Sequence, residues 1–279
     1  MTPSADTRPS ATGPTIAGVA GLLSRPRIIA TACMVVLVAC GWAYLLTAAL
    51  WQGASGPGGF FDAICRAVPI GATGSIESIL LVAAMWVAMT LAMMLPTAGP
   101  MILTYAEIAE TAQRKGKSIV SPHVLIAGYL TVWLGFAGLA TLVQLCVTLL
   151  AAQPGMLALA APAGALLFLL AGLYQFSALK QACLRACQRP FSFFFLNWTD
   201  RPRGVFALGA RQGLYCLGCC WAMMLLMFAA GSMNPLWMAV LGIVMMAEKM
   251  TKSPHLSRAT GVAFAAAGLT ILAVWGWQR

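Results

Sequence analysis

Three observations predict the fold class, an all-α polytopic bundle of about seven membrane-spanning helices with its N-terminus in the cytosol. First, 61% of the 279 residues are hydrophobic and only 9% are charged, against about 45–50% and about 25% in soluble domains. So few charges cannot cover a water-facing surface. Second, the apolar residues gather into uncharged stretches of about 20 residues or more, the length a helix needs to cross a bilayer. Third, the basic residues fall unevenly between alternate loops. These features exclude a soluble globular enzyme, a disordered chain and a nucleic-acid-binding module.

Taken in order, residues 1–26 are rich in Pro, Ser, Thr and Gly without apolar periodicity and read as a disordered cytosolic tail, leaving 27–279 as the transmembrane helical domain. Ile28 to Leu50 is uncharged and follows Arg25 and Arg27. It is too long for a signal-peptide core and suits a first span. A Gly-rich loop with Asp62, Cys65, Arg66 and Glu77 leads to a second uncharged stretch, Ser78 to Ala106. Within it Pro96 and Pro100 lack an N–H and obstruct the carbonyl four residues back, which predicts a kink or break. Glu107 to Lys117 reads as a charged loop. The uncharged run Ser118 to Leu179 holds two spans, with Gln153, Pro154 and Gly155 as the turn. A basic segment, Lys180 to Arg211, precedes an uncharged run from Gln212 to Ala247 that is interrupted around Gly231 to Pro235. Its arms are expected to be short spans or a re-entrant hairpin. Ala259 to Gln278 supplies the last crossing. Phe191, Phe193, Phe194, Phe195 and Trp198 lie among basic residues and read as an interfacial element on the cytosolic leaflet.

On this topology 15 of the 17 basic residues lie on one side, Lys180, Lys249, Arg114 and Arg211 among them, and only Arg66 and Arg279 lie on the other. The net charge of +10 is thereby explained as orienting charge. Glu248 and Lys249 read as a paired couple or gate at the interface, and His123 and His255 as interfacial histidines.

Nine Cys and sixteen Met pose the functional question. The odd Cys count, with no clear secretory leader, argues against a disulfide framework. Wound at about 100° per residue, Cys216, Cys220, Met223 and Met227 share an arc of about 60°, with Cys219 and Met224 on its shoulders. Met85, Met89 and Met93 share a face of the second span, with Met94 opposite. Cys183 and Cys187 lie one helical turn apart. Soft thiolates and thioethers select Cu(I) and need no carboxylates. The candidate ligands are therefore Cys216, Cys219 and Cys220, then Met223, Met227 and Met93, with Cys183 and Cys187. Each residue also has a packing explanation, since Met fills gaps and Cys behaves as a small hydrophobe. A thiol-disulfide oxidoreductase cycling Cys219 with Cys220, or Cys183 with Cys187, and a scaffold subunit are the rival readings. The partners expected are the lipid bilayer and a metal-donor or metal-acceptor protein, with no nucleic acid.

Four segments, W-V-A-M-T-L-A-M-M-L-P (Trp86 to Pro96), L-K-Q-A-C-L-R-A-C-Q-R-P (Leu179 to Pro190), G-L-Y-C-L-G-C-C-W-A-M-M (Gly213 to Met224) and G-S-M-N-P-L-W-M (Gly231 to Met238) with Glu248 and Lys249, together resemble a bacterial family of predicted metal-binding integral membrane proteins, sometimes labelled copper chaperones. The resemblance covers about 78–250, leaving out the tail and the final span. It implies metal binding and copper handling.

Overall fold

The structure, a computed structural model, describes residues 26–53, 76–116, 119–151, 160–229 and 235–278. The N-terminal tail, the loop carrying Cys65 and Arg66, and the turns expected around Pro154 and Asn234 lie outside the described residues. Within them every regular element is helical: α1 (Pro26–Gly53), α2 (Ile76–Met89), a π-helical turn (Thr90–Met94), α3 (Leu95–Arg114), α4 (Pro122–Ala151), α5 (Ala160–Tyr174), α6 (Ala178–Gln188), α7 (Pro190–Leu196), α8 (Pro202–Ala229), α9 (Pro235–Met250) and α10 (His255–Trp277). Five helical segments are long and apolar enough to cross a membrane, and six if the α5–α6 pair, bent by 64°, counts as one. The remaining expected crossing, α9, has 16 residues. At 1.5 Å per residue that is about 24 Å, short of the ~30 Å hydrocarbon core.

Several sequence expectations need correction. The chain does not break at Pro96 or Pro100, because α2, the π turn and α3 run on as one helical span, Ile79–Arg114. The π turn widens the helix by one residue just before Pro96. The carbonyl Pro96 cannot bond, that of Ala92, instead accepts the Trp42 indole N–H at 3.2 Å. The charged loop expected from Glu107 is helical as far as Arg114, with Glu110 and Arg114 paired at 2.9 Å one turn apart. Gly116, at φ 72°, then ends the helix in the left-handed region that favours glycine. The basic segment Lys180 to Arg211 is also largely helical, forming α6, α7 and the start of α8. Consequently α8, at 28 residues, is no short arm: it begins ten residues before the uncharged run does.

The helices meet through small residues. A Cβ added at Gly209 of α8 would lie 2.0 Å from the Leu125 carbonyl oxygen, and one at Gly128 of α4 would lie 2.1 Å from that of Phe206. The two backbones therefore touch, in the small-residue manner of helices packed in an apolar environment. Gly172 of α5 and Gly261 of α10 meet in the same way. The outward positions of α4, including Leu134, Leu139, Leu142 and Leu149, stay apolar and exposed, so this helix is hydrophobic all round. On α7, Phe191 and Phe195 stack on each other and are exposed while Phe193 and Phe194 are buried. That short helix has an inner and an outer aromatic face.

Overpacking a close helix crossing costs about 1–3 kcal/mol or more. Gly209→Val is therefore expected to lower the thermal unfolding midpoint of the detergent-solubilised protein by several degrees. Gly135→Ala, where an added Cβ meets nothing within 4 Å, should leave the midpoint unchanged.

Candidate metal centre

Four elements bring sulfur together on the inner face of α8. Cys216, Cys219, Cys220, Met223, Met224 and Met227 are all buried, as are Met93 and Met94 in the π turn and Met238 and Met245 on α9. The eight described cysteines are free thiols. Cys219 and Cys220 each direct Sγ to the Cys216 carbonyl oxygen, at 3.1 and 2.8 Å, bonds open to thiols in a helix. The Cys220 Sγ lies 3.7 Å from Met94 Sδ. From α6, Cys187 brings its thiol to that of Cys219. Cys183 packs on Gly218, where any Cβ would come within 2.7 Å of its Sγ.

The centre of this cluster is a lysine. Lys249 of α9 is only 7% exposed, and its Nζ donates to Cys216 Sγ at 2.9 Å and to Thr97 Oγ1 at 2.7 Å. The Tyr129 hydroxyl of α4 donates to the Met94 carbonyl oxygen at 2.9 Å and lies 3.0 Å from Cys216 Sγ. Thr97 donates in turn to that same carbonyl at 2.8 Å. Cys216 is thus surrounded by an ammonium and a phenol, both well suited to an electron-rich sulfur. Glu248 does not pair with its neighbour. Its Oε2 meets Lys180 Nζ of α6 at 2.6 Å, with both side chains at or below 2% exposure. Residues adjacent on a helix point about 100° apart, so Glu248 faces α6 while Lys249 faces α8. Gln188 of α6 fastens the same end of α9 by donating to the carbonyls of Glu248 and Thr251, each at 2.8 Å. Lys180 and Lys249, counted by sequence among the orienting charges, are structural groups of the interior.

The predicted site residues fall into three places. Cys216, Cys219, Cys220 and Cys187 are brought together, with Cys183 at their edge. Met223 is one turn further along α8. Met227 lies about 16 Å along the axis from Cys216, too far to share an ion with it. Met93 faces α9, where a Cβ on Gly242 would lie 3.5 Å from its methyl group. Its neighbour Met94, placed by α-helical spacing opposite the Met85, Met89 and Met93 face, is the thioether that reaches the thiols. Sequence reasoning also passed over Lys249, Thr97 and Tyr129 as parts of this cluster. Nothing local in the sequence marks any of the three as part of the cluster; Lys249 sits between Glu248 and Lys252, just past the uncharged run.

Among the described residues no group of three or more His, Cys, Asp or Glu side chains is arranged to hold a metal ion. The preformed donor pair is mixed, one thiol and one thioether. With metal–sulfur bonds of about 2.3 Å, two sulfurs 3.7 Å apart can both ligate one ion. Soft donors in a dry setting favour Cu(I) over harder divalent ions.

Residues 83–271 match a family described as PpoB2, copper chaperone. The chain belongs to this copper chaperone family. The match reaches well into α10, which the sequence resemblance left out, and takes in every residue of the sulfur cluster. No curated protein and no solved structure matches the chain. Family membership carries copper handling in general; the atoms that would meet the ion come from the geometry above.

Removing one partner of a buried ion pair leaves an uncompensated charge and costs about 3–5 kcal/mol. Lys180→Met and Glu248→Met are each expected to destabilise the copper chaperone by that order in chemical denaturation. The Lys180→Met/Glu248→Met double variant should recover most of the loss, a coupling that a double-mutant cycle measures.

Proposed function

We propose that the protein is a multi-pass protein of the bacterial plasma membrane, N-terminus cytosolic, that binds Cu(I) at the thiol cluster and passes it to or from a partner protein. The reading rests above all on the Cys220–Met94 pair inside a buried, cysteine-rich cluster. Family membership supports the cargo, and the long apolar helices support the bilayer. Cu(I) is the cargo, since a chaperone must let its ion go.

The residues divide the work by their surroundings. Cys220 and Met94 would receive the ion, being the sulfurs within reach of each other. Cys219 and Cys187 would supply further thiol donors from α8 and α6. Cys216 already holds a cation, the Lys249 ammonium at 2.9 Å, so it would join only when that ammonium moves. Tyr129 and Thr97 fix the Met94 carbonyl and so hold the thioether end of the pair. Met223 and Met227 would continue the path along α8 as weaker neutral donors. The apolar packing around the cluster excludes water and hard ions.

A second reading, thiol-disulfide exchange, draws on the approach of Cys187 to Cys219. This pair joins Cys219 with Cys220 and Cys183 with Cys187 as candidates for the exchange. Thiol trapping in intact cells followed by mass spectrometry distinguishes the readings: a Cys187–Cys219 disulfide that responds to a quinone supports exchange, and fully reduced thiols support the copper reading.

Titration of the purified protein with a chromophoric Cu(I) indicator tests the proposal. The parent is expected to hold Cu(I), and the Cys216→Ser/Cys219→Ser/Cys220→Ser variant to hold little. Met94→Leu should weaken binding by at least about tenfold, the loss of one soft ligand. A triple variant that binds as much Cu(I) as the parent overturns the assignment.

A further inference from the structure

A second sulfur-lined space lies on the far side of the π turn. It is a cavity of about 260 Å³ between α1, the π turn with α3, and α9, and its walls include Trp42, Met93, Pro96, Thr97, Gly242 and Met246. Two of these are thioethers from different helices. Met93 is buried and Met246 half-buried, so one sulfur side chain lies deep in the wall and the other nearer the outside. At Gly242 a Cβ would sit in ordinary contact 3.5 Å from the Met93 methyl, so a side chain longer than alanine's is needed there to fill the space.

The cavity adjoins the thiol cluster through two features. Thr97 belongs to both: it lines the cavity, and its Oγ1 accepts from Lys249 and lies 4.0 Å from Cys216 Sγ. Met93 and Met94 are consecutive residues, with α-carbons about 3.8 Å apart, yet they serve opposite sides. Met93 lines the cavity while Met94 Sδ meets Cys220 Sγ. The thioethers of neighbouring residues thus stand in two compartments separated by the thickness of one helix wall.

Building on the thiol-site reading above, we propose that this cavity is a second, weaker Cu(I) site in which Met93 and Met246 take the ion first, and from which it passes by way of Met94 to Cys220. Neutral thioethers bind Cu(I) without needing to lose a proton and release it more readily than thiolates. A thioether site outside a thiol site therefore sets a downhill order. The ion remains Cu(I) throughout: as one sulfur ligand replaces another, the Cys220 thiol binds as a thiolate and releases its proton to solvent, and no electron is exchanged. Thr97, held by Lys249 on one side and by the Met94 carbonyl on the other, is the partition the ion must pass. The site accounts for a methionine on a buried wall that reaches no thiol.

The test separates rate from capacity. Full-length protein in detergent micelles receives Cu(I) from a chromophoric indicator under reducing conditions, and transfer is followed by stopped flow. In Met93→Ile/Met246→Leu the transfer is expected to slow by about tenfold or more, with the thiol-site affinity at equilibrium unchanged. Gly242→Leu, which fills the cavity and removes no sulfur, should slow transfer in the same way. Parental transfer rates in both variants overturn the cavity site while leaving the thiol site standing. Equal Cu(I) binding by the parent and the Cys216→Ser/Cys219→Ser/Cys220→Ser variant instead overturns the thiol site, an outcome read from capacity and independent of the two rates.

Discussion

An ammonium held among apolar helices must be met by electron-rich groups, because burying it unpaired costs far more than packing returns. Lys249 is in that position, and the arrangement around the sulfur cluster follows from satisfying it. Its two partners, Cys216 Sγ and Thr97 Oγ1, come from α8 and α3, so one side chain of α9 fixes the distance between three helices. Tyr129 then closes the fourth side from α4 through Cys216 and the Met94 carbonyl. With α9 too short to be secured by span-length apolar packing, these polar ties and the neighbouring Lys180–Glu248 pair hold its end in place.

The chemistry of the cluster depends on the same constraint. Cys216, Cys219 and Cys220 lie on one helix, yet they are not equivalent. Cys216 faces a positive group, Cys219 faces another thiol on α6, and Cys220 faces a thioether. On the proposed copper reading, a soft cation at this face would meet one sulfur already compensated and one pair free to receive it. The three cysteines differ because a different helix packs opposite each of them.

Helix class, the long apolar segments and the convergence of thiols and thioethers on α8 were legible in the sequence, because each is a periodicity of a single chain segment. The lysines were not. Counting basic residues by loop treats every Lys as a surface charge, and nothing local marks Lys180 or Lys249 as buried in a basic stretch or beside a helix end. The pairing of Glu248 was misread for a reason that was available in advance: adjacent helical residues diverge, so its partner had to come from another helix. Tyr129 and Thr97 are separated from Cys216 by 87 and 119 positions. Only tertiary packing brings such residues together.

The two prolines mark where local rules were right about the need and wrong about the response. Pro96 does remove a backbone bond, and a kink is the usual outcome. Here a π turn just upstream takes up the misfit and the Trp42 indole bonds the freed carbonyl of Ala92, so the helix continues unbroken. Within that turn Met94 meets Cys220 while Met93 stays toward α9, as the roughly 100° between adjacent helical residues already allows. The proline that should have broken the helix is thus accommodated in the segment whose consecutive methionines serve two neighbourhoods, Met94 toward the thiols of α8 and Met93 toward the cavity against α9.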